Sequence, residues 1–287
     1  MTDHPVKGID HVFAIAKDLD ASQRAFERLG FTVSPRGYHS KHMGTANHTI
    51  MFPRDYFELL GIIAPTPHNV LRQEVLEQDG EGLRAIACRI DDAAAAETAL
   101  EALGIKTNGL NDFTRPVELP DGSEGQASFT TLQFHPDITP EGIMFMCQHR
   151  TRETVWVPAL LEHANGAAGL AGVVTRADDP AAKGPEYAKM FAAGSVEPVE
   201  GGVRVTTGEN SAPILVLTPD AVAAYYAGID LSALPKTGHA ALRIFTRDID
   251  KARSVLEAAG VAVHATADGI AVAPADASGL IVEFVPA

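Results

Sequence analysis

Two ionisable residues, His11 and Glu58, stand inside apolar stretches that have the composition of β-strands. Side chains alternate between the faces of a strand, so His11 shares its face with Phe13, and Glu58 with Leu60. A buried carboxylate is costly unless it is paired or binds a cation. Imidazole nitrogen and carboxylate oxygen together suit a divalent metal. The pair is a candidate metal site; a His–Glu hydrogen bond in the core, or a Glu58 turned to solvent, is the alternative.

A metal needs more than two ligands, and His149 is the candidate for the third. It follows the apolar run 143–147, so we expect it to emerge at a strand end as Glu58 does. His11, Glu58 and His149 would form a face of two histidines and one carboxylate with open positions, as in non-haem iron sites, and compatible with zinc or manganese. The alternative is a solvent-facing histidine beside Arg150.

A rival site lies in the second half of the chain, where His239 opens a strand-like run and Glu283 lies in the last one. Aligning the helix starts at Asp18 and Asp248 puts Ala241, not His239, opposite His11. The distribution of histidines also favours the first half, which holds eight of the eleven: His4, His11, His39, His42, His48, His68, His135 and His149.

Further polar residues are candidates for contact with a substrate. His39 and Asn47 lie in or beside the loop before a predicted strand, and a solvated loop is the alternative. His163 and Asn165, in the sequence His-Ala-Asn-Gly, precede the third repeat and are expected to fold back over the site, unless they only build an Asn-Gly turn. For a proton-transfer reaction, Glu58 or His163 is the candidate base.

The elements that must position these residues recur four times along the chain. Each copy has an apolar strand, an aspartate suited to cap a helix, about three helical turns and a glycine that ends the helix. From Asp18, Asp92 and Asp248 the following glycine is 12 residues away each time. A weaker third copy starts near Asp179 and ends at Gly194. Strand-rich sequence follows each helix, so the repeat is a βαβββ module.

Four such modules predict an α+β fold, in which they form two cupped mixed-sheet halves with the helices outside. We place the N-terminal pair of modules at 1–152, with the metal site, and the C-terminal pair at 153–287. A generic α+β chain with coincidental alanine-rich helices is the alternative.

The modules resemble those of the vicinal oxygen chelate superfamily, which contains glyoxalase I, extradiol dioxygenases and bleomycin-resistance proteins. The opening 8–12, Gly-Ile-Asp-His-Val, and the segments 44–47 and 56–60 are most similar to its glyoxalase-like domain branch. In that superfamily, metal ligands lie on the first and fourth strands of a module, as His11 and Glu58 do here. The second module has alanine where glyoxalase I has another ligand, so the resemblance does not extend to a four-ligand site.

The resemblance implies a metal-dependent enzyme for a small metabolite with two neighbouring oxygens, either a glyoxalase-like lyase or isomerase or a ring-cleaving dioxygenase. Its cofactor would be one divalent ion of iron, manganese, zinc or nickel. The alternative is a metal-free binding or resistance protein of the same fold.

Composition limits the partners. With 23 basic and 37 acidic residues in 287, the net charge is −14, which disfavours nucleic acid and anionic lipid surfaces. We expect a cytoplasmic monomer or homodimer with a small-molecule substrate, and no nucleic-acid or membrane partner.

Overall fold

The chain folds into two eight-stranded mixed β-sheets, one from each half of the sequence. The computed structural model describes residues 3–119 and 122–287. The first half contains β1 (Ile9–Ala16), α1 (Leu19–Arg28), β2 (Gly37–Tyr38), β3 (Thr45–Met51), β4 (Tyr56–Ile62), α2 (Val70–Asp79), β5 (Gly82–Arg89), α3 (Ala93–Ala102), β6 (Thr107–Glu118), β7 (Glu124–Phe134) and β8 (Ile143–His149).

The second half repeats the pattern. It contains β9 (Ala167–Arg176), α4 (Pro180–Ala188), β10 (Ser195–Val199), β11 (Gly202–Thr206), β12 (Ile214–Leu217), α5 (Pro219–Tyr225), β13 (Gly238–Thr246), α6 (Ile249–Ala258), β14 (His264–Ala265), β15 (Ile270–Val272) and β16 (Ile281–Pro286). The prediction of an α+β fold with four βαβββ modules in two halves is confirmed; α2 and α5 are additional connecting helices.

Both sheets have the same strand order, with the first strands of two modules side by side at the centre. The orders are β2-β3-β4-β1-β5-β8-β7-β6 and β10-β11-β12-β9-β13-β16-β15-β14. The central pairs β1/β5 and β9/β13 are antiparallel, and each central strand runs parallel to the last strand of its own module. The first sheet curls until its edge strands β2 and β6 touch, so its concave face becomes a cup.

The repeated helices begin as the sequence predicts. The side chains of Asp18, Asp92, Asp179 and Asp248 each accept a hydrogen bond from the backbone N–H three residues later, which satisfies a free donor of the first turn. Gly194 in the weak third copy differs from the other three helix-end glycines. Its φ is not in the left-handed region, and a Cβ there would lie 1.8 Å from the carbonyl oxygen of Ala188.

The two halves pack against each other through one continuous apolar core. The rings of Phe31 and Phe284 stack with centroids 5.6 Å apart, and Oδ1 of Asp55 accepts a hydrogen bond from the N–H of Leu170 at 3.0 Å. The division at residue 152 stays a prediction, because side chains from both sides of it fill the same core. Among the described residues, no helix is long and apolar enough to cross a membrane.

Because of Asp55, the stability of the contact between the two halves depends on pH. Burial raises the pKa of its carboxyl to about 7, against the lowering effects of the Leu170 N–H and of Arg89. An acid whose pKa is higher in the folded state contributes stability below its unfolded pKa, near 3.8, and loses it as the pH rises through about 7.

We therefore expect Asp55→Asn, which keeps an acceptor for Leu170, to be more stable than the wild type by about 2–4 kcal/mol at pH 8. The difference should shrink toward pH 4. Urea unfolding at both pH values measures it, and a variant equally or less stable at pH 8 would contradict a buried, uncompensated Asp55.

Candidate metal and active site

A cavity of about 360 Å³ occupies the concave face of the first sheet. The strands β1, β3, β4 and β6–β8, the loop after β2 and helix α2 all contribute to its wall. His11, Glu58, His39 and Asn47 line it. Four of the seven residues assigned from sequence therefore meet in one cavity, in the half of the chain where we expected the site.

His11 and Glu58 face each other across neighbouring parallel strands. Nε2 of His11 lies 3.8 Å from Oε2 of Glu58, which is beyond hydrogen-bond distance but compatible with two ligands of one cation. The other carboxylate oxygen, Oε1, accepts a hydrogen bond from Nδ2 of Asn47 at 2.9 Å. The Tyr56 ring stacks on the His11 imidazole with centroids 4.2 Å apart, so the orientation of both candidate ligands is fixed.

A β-bulge brings Asp10 to the same group. In the β1/β5 register, Ile9 pairs with Cys88 and His11 with Ala87, so Asp10 is an extra residue on β1. Because the bulge interrupts the alternation of side chains, Oδ1 of Asp10 reaches Nδ1 of His11 at 2.8 Å. The carboxylate accepts a hydrogen bond from Nδ1–H, which leaves the Nε2 lone pair of the neutral imidazole for the cavity. A carboxylate behind a histidine in this way is the usual support of a metal ligand.

Asp10 is fully buried and holds two histidines. Its Oδ1 also lies 2.9 Å from Nε2 of His149, and Arg89 Nε is 3.7 Å from Oδ2. Burial alone would raise the pKa of Asp10, but the hydrogen bonds from His11 and His149 and their charges lower it well below its ordinary value. Asp10 is therefore a buried carboxylate that keeps its negative charge.

His149 reaches the site by a different route from the one we expected. Phe145, paired in register with Ala87, occupies the place in its module that Glu58 has in the first module, and His149 lies four residues beyond it at the end of β8. It contacts Asp10, while its own Nδ1 is buried without a hydrogen-bond partner among the described residues. One ligand atom each from Asp10, His11 and His149 lie within 4.8 Å of one another. His149 thus belongs to the Asp10 side of His11, opposite to Glu58.

His39 and Asn47, the proposed substrate contacts of the loop and β3, are both in the wall. Nδ1 of His39 is 2.8 Å from Oγ1 of Thr45. Burial lowers the pKa of His39 to about 4; Glu58 opposes this effect, and Arg115 and Arg72 add to it. The imidazole is therefore neutral at neutral pH.

His163 and Asn165, the candidate base and the candidate substrate contact before the third module, do not line this cavity. Nε2 of His163 donates to the carbonyl of Met51 at 2.9 Å, and Nδ1 accepts from the N–H of Thr32 at 3.0 Å. The Asn165 side chain donates to Leu29 and accepts from the backbone of Ala167. Both residues hold the segment that connects the two halves against the first module, and these hydrogen bonds occupy their side-chain polar atoms.

The rival pair in the second half does not form a site. His239 lies against Thr175, with Nδ1 2.9 Å from its hydroxyl. Glu283 faces Arg243, its partner in the β13/β16 register, at 2.8 Å from Nε. Its carboxylate also accepts hydrogen bonds from the hydroxyl groups of Tyr225, Tyr226 and Thr266. A guanidinium therefore occupies the place that a cation would take.

The sequence patterns do not identify three charged residues near His11 and Glu58. Asp10 lies in the segment 8–12 beside His11, but strict alternation along a strand places its side chain on the opposite face. Arg72 on α2 and Arg115 on β6 also line the cavity. No spacing rule connects them to His11 or Glu58, because the curvature of the sheet brings them together.

The two cupped sheets of paired βαβββ modules define a protein of the vicinal oxygen chelate fold. The family model described as a glyoxalase-like domain matches residues 9–191. The chain belongs to this glyoxalase-like domain family.

Solved structures with low sequence identity share the fold. A hypothetical protein from Staphylococcus aureus is 13% identical, with a TM-score of 0.70 over 97% of this chain and 99% of its own. A triple mutant of 4-hydroxymandelate synthase from Streptomyces coelicolor is 14% identical, with a TM-score of 0.55 over 98% of this chain and 93% of its own. A fusion of a xylose isomerase-like TIM barrel with 4-hydroxyphenylpyruvate dioxygenase is 15% identical, with a TM-score of 0.51 over 99% of this chain and 49% of its own. No curated protein sequence matches significantly.

We expect neutralisation of the buried glutamates Glu58 and Glu283 to have different effects on the free energy of unfolding. Glu283 accepts four hydrogen bonds, one of them from a guanidinium, so Glu283→Gln should lose about 3–5 kcal/mol of unfolding free energy. Glu58 accepts one hydrogen bond from Asn47, so Glu58→Gln should change stability by less than about 1 kcal/mol. Urea unfolding of chelator-treated protein makes the comparison. Equal losses would mean that Glu58 is as much a structural residue as Glu283.

Proposed function

We propose that this protein is a metal-dependent enzyme that binds a small molecule through two neighbouring oxygens in the cup of the first sheet. The observation that carries the proposal is the facing pair of His11 Nε2 and Glu58 Oε2, with His11 held from behind by Asp10. The alternative, a metal-free binding protein, would leave a carboxylate and an imidazole nitrogen facing each other without a bond between them.

The donor atoms fit a divalent cation. Asp10 accepts a hydrogen bond from Nδ1–H of His11, which directs Nε2 of the neutral imidazole toward the cavity as the donor atom, and one oxygen of Glu58 is free of the bond to Asn47. Imidazole and carboxylate are ligands of iron, manganese, zinc and nickel alike. A cation on these two residues would act as a Lewis acid that stabilises negative charge on substrate oxygens.

The surrounding residues define what the protein itself contributes. Asn47 fixes the rotation of the Glu58 carboxylate, and the stacked Tyr56 ring holds the plane of the His11 imidazole. We propose that His39 replaces His163 as the candidate base, since its ring lines the cavity and is neutral at neutral pH. Phe13 and Phe145 form an apolar wall that limits water around the reacting oxygens.

Two types of reaction are compatible with this site. Proton transfer, as in a lyase or isomerase, requires a base such as His39. Oxygen insertion, as in a ring-cleaving dioxygenase, requires a redox-active metal with an open position. The identity of the metal in protein purified from its native source decides between them.

The first test is to measure the metal content of untagged protein that has never been exposed to a chelator. We expect close to one divalent cation per chain, and a loss of at least about tenfold in affinity in His11→Ala and in Glu58→Gln. His239→Gln, at the buried histidine of the other half, is the matched control and should keep the metal. Wild-type protein without metal under any loading condition would favour the metal-free binding protein.

Asp10→Asn and His149→Gln test the support of the site. The neutral amide of asparagine at position 10 accepts hydrogen bonds from the two histidines less strongly than a carboxylate does, so metal affinity should fall by about 10- to 100-fold while the fold persists. His149→Gln should have a smaller effect. Metal that survives Glu58→Gln and is lost in His149→Gln would instead locate the cation between Asp10, His11 and His149.

A further inference from the structure

The cup carries a positive charge that the proposed reaction does not use. Its charged lining residues are two arginines, Arg72 and Arg115, and one carboxylate, Glu58. The whole chain, in contrast, has a net charge of −14. A divalent cation on Glu58 would make the cup more positive still. Inside the cavity, therefore, the positive charges outnumber the negative charge, and the protein's own lining residues do not balance them.

Neither arginine has an ion-pair partner in the part of the chain that the structure describes. All the ion pairs found there join other residues. Nη1 of Arg72 contacts only the carbonyl of His68, at 3.4 Å, and its Nε is buried without a hydrogen-bond partner. A guanidinium has five donors, so most of those of Arg72 have no protein acceptor.

Arg115 is held where the edges of the curled sheet meet. It lies on β6, two residues from Phe113, whose ring is also in the wall. Its guanidinium rests on the backbone of Gly37 in β2: a Cβ added there would lie 2.6 Å from Nη1 of Arg115 and 2.5 Å from Oδ1 of Asn47. Asn47 in turn holds Glu58. Arg115 therefore lies beside the predicted metal ligand without bonding to it.

Both guanidinium groups are partly removed from water. Burial lowers the pKa of Arg72 and of Arg115, and the carboxylate of Glu58 raises both. Arginine stays protonated in proteins, so two positive charges remain in a cavity with one negative charge. The planar fork of donors on a guanidinium matches a carboxylate or a phosphate. Four phenylalanines, Phe13, Phe113, Phe129 and Phe145, also line the cavity, and their rings suit the organic part of a ligand.

We propose that Arg72 and Arg115 bind a carboxylate of the substrate, so that the enzyme acts on a small organic acid whose neighbouring oxygens reach His11 and Glu58. The part of this proposal that concerns the neighbouring oxygens rests on the proposed function. The carboxylate site at the two arginines does not depend on it. Arg72 approaches from α2 and Arg115 from β6, so the acid group would be gripped from two sides. A neutral diol or hydroxy-ketone would leave both charges unpaired.

Calorimetric titration of zinc-loaded protein tests the proposal with two probes that differ by one group. Catechol has two neighbouring oxygens, and protocatechuate is catechol with a carboxylate on the ring. We expect protocatechuate to bind at least about tenfold more tightly, because a hydrogen-bonded charge pair contributes about 1.5–3 kcal/mol. Arg72→Met and Arg115→Met should each remove most of this advantage and leave the affinity for catechol unchanged.

Matched variants separate recognition from folding. Arg24→Met, at an exposed arginine of α1, should behave as the wild type. Arg115→Lys should keep part of the preference, because it keeps the charge but loses the fork. Equal affinities for the two probes in the wild type, or an equal loss for both probes in the methionine variants, would overturn the proposal.

Two further probes distinguish this inference from the proposed function. Benzoate has the carboxylate without the neighbouring oxygens. If chelator-treated protein binds benzoate and loses it in Arg72→Met and Arg115→Met, the carboxylate site stands even where metal binding has failed. If His11→Ala loses catechol but retains benzoate, both assignments stand. Inorganic phosphate that displaces benzoate, and binds more tightly than it through the same arginines, would replace the carboxylate by a phosphate and overturn the proposal.

Discussion

The site depends on one buried carboxylate. Asp10 is displaced from its regular strand position by a bulge, and there it accepts hydrogen bonds from His11 and His149. An ionised group at that depth is stable only because two imidazole N–H groups and the nearby Arg89 compensate the loss of water. In return, it fixes the tautomer and the direction of His11. Without the bulge, Asp10 would be turned toward the helices, and either nitrogen of His11 could carry the proton.

The corresponding glutamates of the two halves have different surroundings. In both halves a glutamate lies on the last strand of a module, opposite the first strand of the same module. In the second half the register partner of Glu283 is Arg243. Its guanidinium and three hydroxyl groups all donate hydrogen bonds to the carboxylate of Glu283. In the first half the register partner of Glu58 is the apolar Phe13, so among the described residues Glu58 accepts a side-chain hydrogen bond from Asn47 alone. The same backbone thus yields a closed ion pair in one half and, in the other, a carboxylate with one oxygen free of hydrogen bonds among the described residues.

The parts that the sequence predicts correctly are those governed by local rules. The aspartate caps and the 12-residue spacing define the modules, and strand alternation turns His11 and Glu58 to one face. Asp10 breaks the alternation at a bulge that no residue type announces. The strand ends predict that His149 corresponds to Glu58, but in the register of the second module Phe145 occupies the position that Glu58 has in the first. His163 and Asn165 have the composition of a site but spend their polar atoms at the junction of the halves, and only the packed structure reveals that use.

The acidic surface and the basic cup act over different distances. Charges on the surface are screened within about 8 Å at physiological ionic strength, so the net charge of −14 has little effect on a ligand that has entered the cavity. Arg72 and Arg115 act there at reduced dielectric, where an unpaired charge attracts its counterion strongly. An anion is therefore opposed only weakly during its approach and favoured inside. The composition, which disfavours polyanions, does not disfavour a single small acid, since polyanions remain on the surface while a small ligand experiences the field of the cup.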